Sequence, residues 1–227
     1  MKDNKQLLLS NKAWAAELLD EDPQYFTRQV MGQQPKFLWI GCSDSRVSPE
    51  QMTQTSPGRM FIHRNIANLI DRDDMNLMSV VQFAVDELKV PNVIVCGHHG
   101  CGGIKATMAG GTTGPIDRWL DNARAVRLAH ADEIDTLPDD EARVNRFVEV
   151  NVRDQLLNLA RTRTVQDAFA REQPLILYGW VYDIRDGLLK PLMEIDRDTP
   201  LDTVGKPGRV LVPTAELQAS AAVVDAD

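Results

Sequence analysis

Cys42, Asp44 and Arg46 lie within Gly41-Cys42-Ser43-Asp44-Ser45-Arg46, and far downstream His98-His99-Gly100-Cys101 sets a histidine and a cysteine three residues apart. Two thiolates, an imidazole and a carboxylate make a full tetrahedral ligand set for one zinc ion. Asp44 has two possible jobs. It can fill the fourth metal position, which closes the site. It can instead pair with Arg46 and leave that position to water, which makes a catalyst. Zinc lowers the pKa of bound water and makes hydroxide available as a nucleophile. Two thiolates neutralise the dication, so this zinc should acidify water less than a tris-histidine site would.

These segments need elements to bring them together. Phe37-Leu38-Trp39-Ile40-Gly41, Phe61-Ile62-His63-Arg64-Asn65 and Asn92-Val93-Ile94-Val95-Cys96-Gly97 read as short strands, the first and third being continuous apolar runs of the buried parallel kind. Between the last two, Leu77, Val80, Val81, Ala84, Val85 and Leu88 recur with helical spacing. Strand, helix, strand predicts a βαβ unit. Cys42 then follows the end of one strand and His98 the end of another. Ligands of open α/β sheets bind beyond the carboxyl ends of strands, so both halves of the constellation point to one sheet edge.

The expected fold is α/β: a mostly parallel central sheet flanked by helices, with an N-terminal helical arm and C-terminal helices and hairpin strand. One domain is expected, with residues 1–33 as the arm, 34–195 as the core and 196–227 as a tail. Residues 6–31 read as two helices, the second capped by Asp22 with Pro23 at its first position. Residues 116–131 read as helical, 135–140 as an acidic loop and 141–170 as one long helical stretch. In that stretch Val144, Phe147, Val148, Val152, Leu156 and Leu159 share a side. Leu175 to Tyr182 reads as a strand, followed by an Asp186-Gly187 turn into Leu188 to Ile195.

The chain has 227 residues, 43% apolar and 26% charged, with formal net charge −8. That is ample for a large core. With no basic stripe, a nucleic-acid partner is not expected. No stretch approaches the roughly 20 apolar residues of a membrane span, and the polar start followed by Leu7-Leu8-Leu9 does not resemble a signal peptide. A cytoplasmic protein is expected. Three cysteines, Cys42, Cys96 and Cys101, suit metal or thiol chemistry better than a disulfide framework. Cys96 alone reads as a small buried hydrophobe.

Cys42-Ser43-Asp44-Ser45-Arg46, His63-Arg64-Asn65 and His98 to Gly103 together resemble the β-class carbonic anhydrases, and Gly179-Trp180-Val181-Tyr182-Asp183 resembles that family's C-terminal strand. The resemblance implies one Zn2+ per subunit on Cys42, His98 and Cys101, an Asp44–Arg46 dyad, and reversible hydration of CO2 to bicarbonate. It also implies Gln33 as a donor to substrate oxygen, and a dimer as minimal unit, often paired into a tetramer. The backbone N–H groups of Gly102 and Gly103, at the start of a helix, suit an anionic oxygen.

Trp39, Arg64 and Tyr182, with Val47, resemble the switchable subset of that family, which binds bicarbonate at a second, allosteric pocket. The resemblance then implies a closed state with Asp44 on zinc and an open state with Asp44 on Arg46. Ser48-Pro49 after Val47 departs from the subset's pattern, in which proline often comes first. Two other readings share the residues: hydrolysis of carbonyl sulfide or carbon disulfide on the same scaffold, and a non-catalytic zinc or anion sensor.

Overall fold

The computed structural model describes residues 3–205. The chain divides into two units, Met1–Gln34 and Pro35–Asp227. The first holds helices α1 (Asp3–Glu21) and α2 (Tyr25–Val30). Trp14 meets Phe26 edge-on at 5.7 Å, and Asp22 pairs with Arg28. Neither helix buries a residue. The second helix starts later than Asp22-Pro23 predicts. The Asp22 carboxylate accepts the Gln24 N–H at 3.1 Å, so it closes a turn ahead of the helix.

The second unit is built on one five-stranded sheet in the order β2-β1-β3-β4-β5. The strands are β1 (Phe37–Cys42), β2 (Met60–Asn65), β3 (Asn92–His98), β4 (Ile176–Asp183) and β5 (Leu188–Ile195). β1 to β4 are parallel, and β5 returns antiparallel through the Asp186-Gly187 turn. A short helix α3 (Pro49–Thr53) and then α4 (Met75–Gln82) follow β1 and β2 in turn. The predicted stripe buries Leu77, Val81, Ala84 and Val85 against the sheet. Its helical geometry loosens, however, into a π-turn at Phe83–Glu87, where Leu88 N–H reaches Phe83 O at 2.9 Å. Among the described residues, no helix is long and apolar enough to cross a membrane.

After β3 come α5 (Gly102–Ala109), α6 (Pro115–Trp119), α7 (Asp121–Ala129), α8 (Ala131–Ile134), α9 (Asp140–Ala160) and α10 (Arg163–Ala170). The stretch read as helical over 116–131 is helical, divided among α6, α7 and the start of α8. The stretch predicted over 141–170 is two helices, because Thr162 leaves helical geometry and caps α10 by accepting the Val165 N–H. Asp139 caps α9 in the same way through Ala142 N–H. All six apolar residues predicted for one side of α9 are buried.

Helix α9 lies across the sheet where β3 and β4 carry glycines. A methyl group on Gly97 would stand 2.6 Å from Val152 and 3.0 Å from Val148, and one on Gly179 would stand 3.2 Å from Val152. The close approach seats α9 directly behind the ends of β3 and β4. Residues 206–227, most of the expected tail, lie outside the described residues. Overpacking a core of this density costs about 1–3 kcal/mol. We therefore expect Gly97→Ala to lower stability in chemical denaturation by about that much, and Val152→Ala in the same chain to restore part of it. A Gly97→Ala protein as stable as wild type would contradict this packing.

Candidate metal centre

Cys42 is the last residue of β1, His98 is the last of β3, and Cys101 precedes the first turn of α5. Because β1 and β3 are neighbours in parallel register, with Gly41 opposite Cys96, their ends reach the same sheet edge. All three side chains are buried, and their donor atoms lie within 4.8 Å of one another. The sulfurs of Cys42 and Cys101 are 3.8 Å apart. That is far beyond a disulfide, and equals the separation of about 3.8 Å that two sulfurs take on a tetrahedral zinc with bonds of about 2.3 Å.

Two further observations fit a metal. His98 Nδ1 lies 3.2 Å from the His99 carbonyl. A carbonyl only accepts, so Nδ1 carries the proton and Nε2 presents its lone pair. That Nε2 is buried with no hydrogen-bond partner among the described residues. Fixing the tautomer through the distal nitrogen is how metal-bound histidines are held.

The second observation is the charge on the sulfurs. The Cys101 thiol beside it, more than any other neighbour, holds Cys42 well below the usual thiol range against the opposing effect of burial. The Cys42 sulfur beside it, together with burial, pushes Cys101 far up. One thiolate forms readily and the second is resisted, unless a cation lies between them.

Asp44 stands at the rim of this pair. Its Oδ1 accepts from Arg46 Nε at 2.9 Å and its Oδ2 from Arg46 Nη2 at 2.7 Å. The Arg46 backbone N–H adds a third bond at 3.0 Å. The guanidinium holds the Asp44 carboxyl well below the usual carboxylate range. Asp44 Oδ2 also lies 3.7 Å from His98 Nε2. Asp44 is therefore on Arg46 and beside the trio at once. The backbone carrying them is clamped: Arg64 Nε donates to Cys42 O at 2.9 Å, and Arg64 Nη2 donates to Asp44 O.

The other predicted residues are placed as follows. Gly102 and Gly103 form the first turn of α5, directly after Cys101. Gln33 is exposed in the Met1–Gln34 unit. Trp39 and Tyr182 belong to one apolar cluster on the sheet face away from α9, with Trp180 packed edge-on against Trp39 at 6.3 Å. Trp39 is fully buried and its indole N–H has no partner among the described residues. The N–H lies beside Gly41, where a side-chain carbon would come within 2.4 Å of it. Arg64 pairs in register with Gly41. Val47 is buried.

Sequence reasoning passed over His99. It is buried between two carboxylates, 3.4 Å from Glu149 and 3.3 Å from Asp183. Burial pushes Asp183 up, but Arg185 and Lys190 overcome it and hold the carboxyl well below the usual range. The His98-His99 doublet was the available signal. Its partners come from α9 and β4, which no local pattern connects to it.

The family model for carbonic anhydrase matches residues 37–189. A carbonic anhydrase of Emericella nidulans is 42% identical over 183 residues, covering 81% of this chain and 80% of that protein. The Coccomyxa β-carbonic anhydrase in complex with acetazolamide superposes with TM-score 0.82 at 39% identity, over 86% of this chain and 89% of that one. A tetrameric β-carbonic anhydrase from Sordaria macrospora gives TM-score 0.82 at 37% identity, over 85% and 98% of the two chains. The sheet order, the buried Cys-His-Cys trio and these likenesses agree, and the chain belongs to the β-class carbonic anhydrase family.

Proposed function

We propose that this protein catalyses the reversible hydration of CO2 to bicarbonate and a proton, with one Zn2+ per subunit held by Cys42, His98 and Cys101. The bidentate grip of Arg46 on Asp44 beside that trio is the observation that supports it most. When bound, zinc would acidify a water molecule and supply the nucleophile for CO2. The protein's own residues then have distinct tasks. Arg46 keeps Asp44 ionised, so Asp44 can only accept hydrogen bonds. Asp44 therefore selects a partner bearing an O–H and turns that oxygen's free lone pair toward carbon. The Gly102 N–H at the head of α5 is the donor we assign to substrate oxygen.

The setting we infer is cytoplasmic, in keeping with three unpaired cysteines. Losing the group that orients a proton in the transition state costs roughly 10²–10⁴-fold. Asp44→Asn and Arg46→Ala should each lower kcat/KM by that order in stopped-flow hydration while elemental analysis still finds zinc. Cys42→Ser should lose the zinc as well. Full activity in Asp44→Asn would remove the role given to the dyad.

We further infer a switch. In the open state Asp44 is on Arg46; in the closed state it takes the fourth metal position. The open form has given up one more proton, so acid favours the closed form until Asp44 itself protonates. In the open state Arg46 holds Asp44 below the usual carboxylate range. Stability from the Asp44–Arg46 pair is thus full above the ordinary carboxylate pKa and is lost progressively as pH falls from there to the lowered one. Bicarbonate would add its differential affinity to the closed side at Trp39, Arg64 and Tyr182. The Trp39 indole N–H, without a partner among the described residues, supports an acceptor there. Activity should fall cooperatively below neutral pH, and Trp39→Phe or Tyr182→Phe should shift that fall. A non-cooperative profile, or one indifferent to both variants, would sink the switch.

We also propose self-association as a dimer, or a tetramer built from dimers. Helix α1 exposes Leu7, Leu8, Leu9, Trp14 and Leu19. An apolar surface of this extent is what a partner covers. Light scattering should give the mass of two or four chains, and Trp14→Ser with Leu8→Ser should lower it. A monomer at micromolar concentration would contradict the proposal.

A further inference from the structure

The segment Ile66–Ile70, just after β2, is held by an unusual set of bonds. Ala67 and Asn68 adopt left-handed backbone, with φ of +64° and +47°, although neither is glycine. Such conformations persist only where the surroundings impose them. Here six backbone groups are tied to side chains. Trp119 donates to Ile66 O at 2.9 Å, Asn151 to Ala67 O at 3.1 Å, and Asn122 to Ile70 O at 3.2 Å. Asn65 closes on Leu69 through both its amide groups, each at 2.8 Å. Ile70 N–H donates to Gln155 Oε1 at 2.7 Å. Gln155 Nε2 then donates to Asn151 at 3.0 Å and to Asn122 at 2.9 Å, making one connected amide ladder. Asn151 and Gln155, one turn apart on α9, are buried, at 1% and 0% exposure.

The segment so held bears on both cysteines. Ala67 lies in one buried cluster with Cys42 and Cys101. On the other side, Ile66 and Ala67 lie against Gly103, where an added side-chain carbon would stand 2.7 Å and 3.1 Å from their methyl groups. Gly103 stands in the first turn of α5, directly behind Cys101 in the chain. Asn65 itself pairs with Cys42 in strand register and accepts Ser43 N–H at 2.9 Å.

We propose that Asn151 and Gln155 are positioning residues of the metal centre: by locking the left-handed turn at Ala67-Asn68 they hold Cys42 and Cys101 at the spacing a zinc ion requires. The proposal rests on the zinc reading above. It assigns to α9 a role beyond covering the sheet. The metal site is braced from a helix that contributes no ligand. Partners of metal ligands that are lost in this way cost about 10–100-fold in metal affinity.

The test uses the zinc-loaded full chain as wild type, Gln155→Leu, Asn151→Ser and Leu159→Ala. Leu159 lies on α9 too, in the apolar cluster that reaches Ile70 at the end of the segment but holds neither Ala67 nor either cysteine. Zinc release to a chromogenic chelator is followed below the melting range of all four proteins. The thiolate-to-metal absorption of the cobalt-substituted forms is recorded in parallel. Gln155→Leu and Asn151→Ser should release zinc about 10-fold faster or more and shift the cobalt bands. Leu159→Ala, destabilised through packing alone, should keep the wild-type rate and spectrum. Ladder variants that match wild type, or a Leu159→Ala protein that loses zinc as fast as they do, would overturn the proposal. A wild-type protein that takes up no zinc would overturn the metal reading itself, and is recognised because the defect precedes any substitution.

Discussion

Two buried sulfurs 3.8 Å apart, with a lone imidazole nitrogen facing them, set the terms for the rest of this molecule. Like charges at that distance cannot both be taken from water without a cation to reconcile them. The same proximity that makes the second thiolate hard to form alone makes the pair a strong site for a dication. Everything nearby can be understood as holding that geometry while leaving one side approachable.

The holding begins with the sheet. Parallel pairing of β1 with β3 is what brings residues 42 and 98 to one edge, and α5 then turns Cys101 back toward them. Gly97 lets α9 approach closely enough to back the ends of the strands. From α9 also come Glu149, which faces His99, and the amides that lock the Ile66–Ile70 turn. A helix that would be a simple cover in many α/β domains here carries buried polar groups along much of its length. In a low-dielectric interior such groups are tolerated only when bonded, and when bonded they fix one arrangement.

The approachable side belongs to Asp44. Its carboxylate is shared between a firm partner, Arg46, and a position 3.7 Å from His98. Arg64 restrains the backbone on either side of Ser43 by binding the carbonyls of Cys42 and Asp44. The ligand cysteine and the dyad are therefore mechanically one segment. In the proposed reading a change at Arg64 reaches both, which is why an anion pocket beside it would be felt at the metal.

Much of this was legible in the linear chain. Apolar runs followed by Gly-Cys and Gly-His marked strand ends, the helical stripe between strands implied parallel pairing, and the Cys-His-Cys set marked a candidate metal centre. These are local features, set by residue chemistry and short spacing. Only the tertiary structure decided which backbone groups meet which side chains. The π-turn after Gln82, the break at Thr162, the left-handed Ala67-Asn68 and the His99 partners all arise where distant elements compete with local preference. Asn151 and Gln155 read as ordinary polar positions on a helix face. They acquire meaning because folding buries them, and a buried amide must find partners wherever the fold supplies them.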